Sequence, residues 1–479
     1  MLLAKAASRP NKDGIHRRII ALYDASVAFF HAELDEVIYI IPPKEVEPDR
    51  NILWRLKKAM YGTRKAAKLW QRYVAEVFVD GGWIEVRIEP NVFHKPVLKD
   101  EPEDGDTDAG VHGDDFMMEG IPEMIEKYGD KLLAEHIEIT CIAKIGPGFG
   151  TEGKILKRLI TWSPKGFTWR ADPKHAQALI ELANKSGKTT KPADTPGTKG
   201  LCKNNREALD LLSPDEANIA TRGGGIATYL ALDRPDICYA TRQATRDMSA
   251  PKVRMLVYLH RIARYLVGVP ELIWNYPYQV IVAEGEDAPV FKGDWHNREP
   301  YDMVSDSVLV RTDADWAGPE VESQKCTTGI TIRLGGHLID FISTGQNVVS
   351  LSSAESEFYA TATGATHGLQ VKHIFAEMSL PLPLILEGDS TSAHAIANRV
   401  GTAKLRHLMK KDLWIQDKVM NKELSLRRVS TDDNDSDMGT KHLDKVKMNK
   451  FILQLNLEPV RSAVIVVDKK KTLEAIDES

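Results

Sequence analysis

Acidic residues spread through the last third of this chain constrain its fold more than any other feature. Asp313 and Asp315 lie in VRTDADW, Glu355 and Glu357 in LSSAESEFYATA, Asp389 in LILEGDS and Asp437 in DDNDSDMGTKH. Apolar runs of strand length surround Asp313 and precede Asp389, and a longer stretch with helical spacing follows Glu357. Acids at strand ends and on a helix face converge only if the strands share a sheet and the helix packs on it. Carboxylates gathered in that way cannot all stay ionised without cations, because each desolvated charge raises the pKa of its neighbours. The pattern therefore predicts a sheet with packed helices that holds divalent metal ions against a phosphodiester.

The chain has 479 residues, 43% of them hydrophobic and 27% charged, enough for two to four domains with real cores. Net charge is −5, so the whole molecule does not advertise nucleic-acid binding. Charge is uneven, however: eight basic residues and no acid lie between Arg50 and Tyr73. The four cysteines are far apart and form no CxxC, which argues for a reducing compartment and against structural zinc. There is no signal peptide and no apolar run of membrane-span length, so we expect a soluble protein without a membrane partner.

Short strands are predicted around Asp24, at Val37–Pro43, near 137–145 and over 157–169, with helices over 54–78, 122–134 and 172–186. The DEPEDGDTD segment (100–108) reads as a solvent loop. A Lys/Thr/Pro/Gly stretch (187–200) marks a boundary, 214–268 is a helical block, and the polar residues 284–306 form a linker. In the last part, Gly335-Gly336 between apolar runs predicts a hairpin, followed by a long helix over 354–378. The terminal segment from Asp468 is predicted to fray.

VRTDADWAG, KCTTGITIRLGG, LSSAESEFYATA, LEGDSTSAHAIA and VSTDDNDSDMGTKHL, in this order, resemble the ribonuclease H domain of copia-type long-terminal-repeat retrotransposons. The resemblance implies that Asp313, Glu357, Asp389 and Asp437 hold two Mg²⁺ or Mn²⁺ ions, with Asp315 and Glu355 as neighbours that point elsewhere. His407 occupies the family's Lys-His position, with Arg406 before it. An RNA–DNA hybrid is the implied partner.

A second acidic group lies upstream. Asp24 and the Asp114-Asp115 pair, about ninety residues later, suit a polymerase palm that places two metals for nucleotidyl transfer. ALYDASVAFFHAELDEVIYIIPP resembles the family's first palm motif, and Phe29 falls where an aromatic residue excludes ribose 2′-hydroxyls from incoming nucleotides. LWRLKKAMYGTRKAAKLWQRY resembles the next motif, and Lys57, Lys58, Arg64, Lys65 and Lys68 suit a phosphate track for an RNA template and DNA primer. HGDDFMMEG resembles the Tyr-x-Asp-Asp turn, with His112 in place of Tyr. YLALDRPDICYATRQATRDMSAP resembles the connecting region. Three departures imply an impaired polymerase. Asp24 stands so near the first residue that the fingers region is expected to be missing. Lys65 and Ala67 replace the family's Gln and Pro. The acidic run ending in DTDAGV takes the place of an apolar strand and is not expected to pair in a central sheet.

The expected architecture is thus α+β and α/β, multidomain: a partial palm (1–186), a thumb-like helical connection (187–283), a linker (284–306), a ribonuclease H-like five-stranded mixed sheet (307–445) and a tail (446–479). The expected activities are RNA-directed DNA synthesis from dNTPs, in impaired form, and two-metal hydrolysis of RNA in hybrids. The competing expectation is a decayed retroelement product that only binds nucleic acid. The resemblance places such a protein in cytoplasmic virus-like particles, the nucleus, or both.

Overall fold

The computed structural model describes residues 1–185, 191–202, 207–281, 304–305, 307–316, 325–401 and 413–461. It is a mixed α/β molecule with three principal sheets.

The N-terminal sheet is antiparallel, in the order Ile84–Glu85, Val92–Lys95, Thr107–His112, Asp115–Gly120, Ile19–Ala25, Ile139–Ile145. Side chains alternate across a strand, and Ile19–Ala25 is buried on both faces as a result. Ile19, Ala21 and Tyr23 pack with Trp70, Val74 and Phe78 of the helix Ala66–Asp80, while Ile20 and Leu22 face the other core.

One expectation fails here. Thr107–His112 pairs centrally, between Val92–Lys95 and Asp115–Gly120, and Asp106, Thr107 and Asp108 are buried rather than solvated. The charge is neutralised from a distance. Lys5, on the short helix Leu2–Ala6, places its Nζ 2.7 Å from Asp106 and in contact with Asp108, and Arg18 bonds Asp106 at 2.9 Å. The pairing of acids with cations far away in sequence overrides local strand propensity.

The second sheet is also antiparallel, in the order Leu457–Val460, Glu271–Pro277, Gly166–Arg170, Arg158–Ser163, Glu152–Ile155. The helices Lys174–Lys185, Pro214–Ala231, Pro235–Thr245 and Val253–Gly268 accompany it. The expected boundary at 186/187 cuts across this sheet, since strands on both sides of that point pair. Residues 446–460 are not a tail: helix Lys445–Gln454 leads into Leu457–Val460, which completes the sheet's edge against Glu271–Trp274. The segment from Asp468, and nearly all of the expected 284–306 linker, lie outside the described residues.

The C-terminal sheet runs His337–Gly345, Thr327–Leu334, Val308–Asp315, Leu384–Gly388, Ser425–Arg428. Its first three strands are antiparallel and the last two join parallel, giving the mixed five-stranded sheet expected. Gly335 at φ 58° turns the predicted hairpin. Helix Ser353–Glu377 lies directly on the sheet. A Cβ at Gly368 would come 2.8 Å from Val310, so only glycine permits this approach. Ser352 caps the helix by accepting from the Glu355 N–H at 3.2 Å, fixing the turn that carries Glu357.

Candidate metal centres

The parallel register pairs Arg311 with Glu387, so Asp313 and Asp389, each two residues further on, emerge side by side. Glu357 reaches them from the first turns of helix Ser353–Glu377. Ligand oxygens of Asp313, Glu357 and Asp389 all lie within 4.8 Å of one another. Asp313 is 1% exposed, and burial, with Asp437 and Asp389 adding to it against the pull of Lys441, lifts its carboxyl to about 7. Burial, then Asp313 and Asp389, lifts Glu357 to about 9. Asp389 accepts a hydrogen bond from the Thr431 hydroxyl at 2.9 Å. Oxygen donors in this number and closeness fit a hard divalent cation, which would replace the protons that Asp313 and Glu357 retain.

Asp437 stands apart from that trio. It lies in the 3₁₀ turn Asp435–Gly439, not at the start of the final helix. The turn is pinned to the sheet: Asp435 accepts from Arg311 and from the Thr331 hydroxyl, each at 2.7 Å, and Asn434 donates to the Thr312 carbonyl at 3.0 Å. Both Asp437 oxygens are taken by ammonium groups, Lys441 at 2.7 Å and Lys447 at 2.8 Å. The four expected ligands are therefore three gathered acids and one ion-paired acid.

Neither neighbour enters the trio. Glu355 turns back to accept from the Leu351 N–H at 2.9 Å, a helix-start bond. Asp315 is pushed up chiefly by burial, against Lys441 and Arg246. His407 lies outside the described residues. Sequence reading passed over Thr440 and Lys441, although both follow Asp437 in MGTKH; the Thr440 hydroxyl donates to Asp313.

Upstream, Asp24 sits opposite Asp115 in antiparallel register, as a strand-borne acid facing an acidic turn. The Ala25 N–H donates to the Asp114 carbonyl at 2.9 Å, and the Trp70 indole donates to the Gly113 carbonyl at 2.7 Å, which fixes the turn. Burial, then Asp114 and Asp24, pushes Asp115 above the usual carboxylate range. Asp24, Asp114 and Asp115 nevertheless do not form a group with mutual approach within 4.8 Å. Phe29, on the turn Ala28–His31, packs at a tilt against Tyr61 with ring centroids 4.5 Å apart and lines a cavity of about 210 Å³ with Trp70, Val74 and Gly113.

The basic stretch is less helical than its spacing predicts. Trp54–Arg55 forms a short strand, Lys57, Lys58 and Arg64 precede the helix, Lys65 caps it, and Lys68 and Arg72 lie within it. Lys57, Lys58, Arg64 and Lys68 are exposed. Lys65 bonds Asp35 at 3.1 Å, so neighbouring acids screen part of a stretch that contains none.

Residues 7–153 match the family described as reverse transcriptase (RNA-dependent DNA polymerase). Over 440 residues the chain is 24% identical to the retrovirus-related Pol polyprotein from transposon RE2 of Arabidopsis thaliana, covering 89% of this chain and 27% of that protein. Over 439 residues it is 25% identical to the corresponding polyprotein from transposon TNT 1-94 of Nicotiana tabacum, covering 90% of this chain and 30% of that one. The chain thus spans less than a third of these curated relatives. Among solved structures, the foamy viral protease-reverse transcriptase in complex with RNA/DNA hybrid aligns with a TM-score of 0.46 at 10% identity, covering 90% of this chain and 46% of that one. No helix among the described residues is long and apolar enough to cross a membrane.

Proposed function

From the premise that the chain is a relative of copia-type retrotransposon Pol polyproteins, we propose that its C-terminal centre hydrolyses the RNA strand of RNA–DNA hybrids. The convergence of Asp313, Glu357 and Asp389 carries this reading. These three acids would hold Mg²⁺ or Mn²⁺. A bound divalent ion there supplies Lewis acidity toward the phosphodiester and a more acidic water. The sheet and the capped helix hold the three carboxylates in place before any ligand arrives, so little reorganisation is required. Hybrid recognition of this kind rests on backbone and 2′-hydroxyl contacts, with little base preference.

We assign RNA-directed DNA synthesis to the N-terminal centre, with dNTPs and a primed RNA template as its substrates and with lower activity than the nuclease. The looser grouping of Asp24, Asp114 and Asp115 supports that ranking.

The test is Mg²⁺-dependent cleavage of a labelled RNA–DNA hybrid by the full chain. The RNA strand is expected to be cut, and Asp389→Asn to lower the rate ~10³-fold, about 4 kcal/mol in the barrier. Hybrid binding without cleavage, or full activity in Asp389→Asn, overturns the nuclease reading. The ion pairing of Asp437 favours binding without catalysis as the competing outcome.

A further inference from the structure

Lys441 lies between two of the buried acids. Its Nζ is 2.7 Å from Asp437 Oδ1 and 3.4 Å from Asp313 Oδ2. Asp437 presents its other oxygen to Lys447 at 2.8 Å. Each oxygen of Asp437 thus already faces an ammonium group, whereas Asp313, Glu357 and Asp389 face one another. A divalent ion shared by Asp313 and Asp437 would need the place that the Lys441 ammonium holds.

Charge counting points the same way. Fully ionised, the four acids carry four negative charges, and Lys441 and Lys447 neutralise two. One divalent ion then completes neutrality, and a second would leave an excess of positive charge. We infer that Lys441 is a positioning residue that fills the second cation position of this centre. The chain alone then binds one divalent ion, at Asp313, Glu357 and Asp389, and takes a second only when Lys441 gives way. The inference rests on the metal-centre reading given above.

Lys441 is built to move while its neighbours stay. The turn before it is held by Asp435 on Arg311 and Thr331, and the Lys441 N–H donates to the Asp437 carbonyl at 3.0 Å. Its side chain is 40% exposed, against 2% for Asp313 and 1% for Asp437. A flexible ammonium with one side open to solvent can exchange buried carboxylates for the phosphates of a bound hybrid. That exchange would open the second position when substrate is present.

The experiment counts Mn²⁺ ions bound to the full chain without nucleic acid, by electron paramagnetic resonance of free Mn²⁺. Ions belonging to this centre are those lost in Asp313→Asn. Wild type is expected to hold one ion tightly. Lys441→Met is expected to tighten the second at least tenfold, and Lys441→Arg, which keeps the cation, to stay at one. Circular dichroism checks each variant's fold, and Lys441→Gln is measured in the same way should Lys441→Met fold poorly. Two equally tight ions in wild type, or unchanged binding in the neutral variants, overturn the role of Lys441 alone. If neither wild type nor Lys441→Met loses any ion through Asp313→Asn, the metal-centre reading falls, and this inference falls with it.

Discussion

Two of the groups of buried carboxylates among the described residues stand in contrasting surroundings. In the N-terminal sheet, burial disfavours ionised Asp108, yet Lys5 and His94 outweigh it and hold the carboxyl down at about 2. Asp106 is likewise held low against burial by Arg18 and Lys5. Two cations face three acids, and burial lifts the third, Glu119, to about 8, so one proton brings the group to neutrality. In the C-terminal sheet, Asp313 and Glu357 rise to about 7 and about 9. The difference lies in the counter-charges. Where the chain supplies its own cations, the cluster is a strut. Where it falls two cations short rather than one, two carboxyls are raised and the cluster suits an external divalent ion.

The strut also joins the two halves. Lys5 Nζ donates to the Met378 carbonyl at 2.9 Å, and His94 Nε2 lies 2.7 Å from the Ser379 hydroxyl, both at the end of the helix that carries Glu357. The largest expected effect therefore comes from Lys5→Met. It leaves buried acids short of a cation and is expected to cost about 3–5 kcal/mol of stability, the usual cost of breaking a buried pair from one side. Urea unfolding near neutral pH measures it. A loss under ~1 kcal/mol would show that the N-terminal acids do not depend on their internal cations, and the contrast would collapse.

Next in size is a pH effect of the metal-free protein. Glu357 titrates near 9 when folded and near ~4.3 when unfolded. Between those values the folded state binds more protons, so stability falls as pH rises. Glu119, raised to about 8, contributes a slope of the same sign. The difference between wild type and Glu357→Gln therefore isolates the C-terminal centre. From pH 5 to 9 the variant is expected to lose clearly less stability than wild type. Saturating Mg²⁺ is expected to flatten the wild-type curve by replacing the proton. Asp108 acts oppositely: its contribution is complete above ~4 and lost only as pH falls through about 2. Identical thermal-melt profiles for wild type and Glu357→Gln would remove the cation-short side of the comparison.

What the sequence could and could not reveal follows the same division. The C-terminal sheet was readable because its signals are local: alternating runs, a Gly-Gly hairpin, a long helix with Ser352 at its start. The placement of Asp313 beside Asp389 follows from those elements once the strands are parallel. The DTD strand was not readable, because its stability comes from Lys5, 103 residues from Asp108. A local reading sees only clustered acids and assigns a loop. Leu457–Val460 was missed for the same reason, since its partner is Glu271–Trp274. The ion pairing of Asp437 lay closer to hand: Lys441 is four residues on, the spacing at which side chains meet on one helical face.

The smallest expected effect belongs to Asp114→Asn, and it tests whether the palm-like acids form a third kind of cluster. Asp114 is exposed at its turn, and what holds the turn is backbone: the Asp114 carbonyl accepts from Ala25, and the Gly113 carbonyl accepts from Trp70. An amide in place of the carboxylate leaves both bonds intact. It also removes one of the charges that push Asp115 upward, after burial. Stability is therefore expected to change by less than about 0.5 kcal/mol, in the range of exposed substitutions, and hybrid cleavage to stay at the wild-type rate. A stabilisation well above 1 kcal/mol in metal-free buffer, abolished by Mg²⁺, would show that Asp24, Asp114 and Asp115 repel one another as strongly as the C-terminal acids do. The N-terminal acids would then suit a metal as well as the C-terminal trio does, and the proposed ranking of the two activities would lose its support.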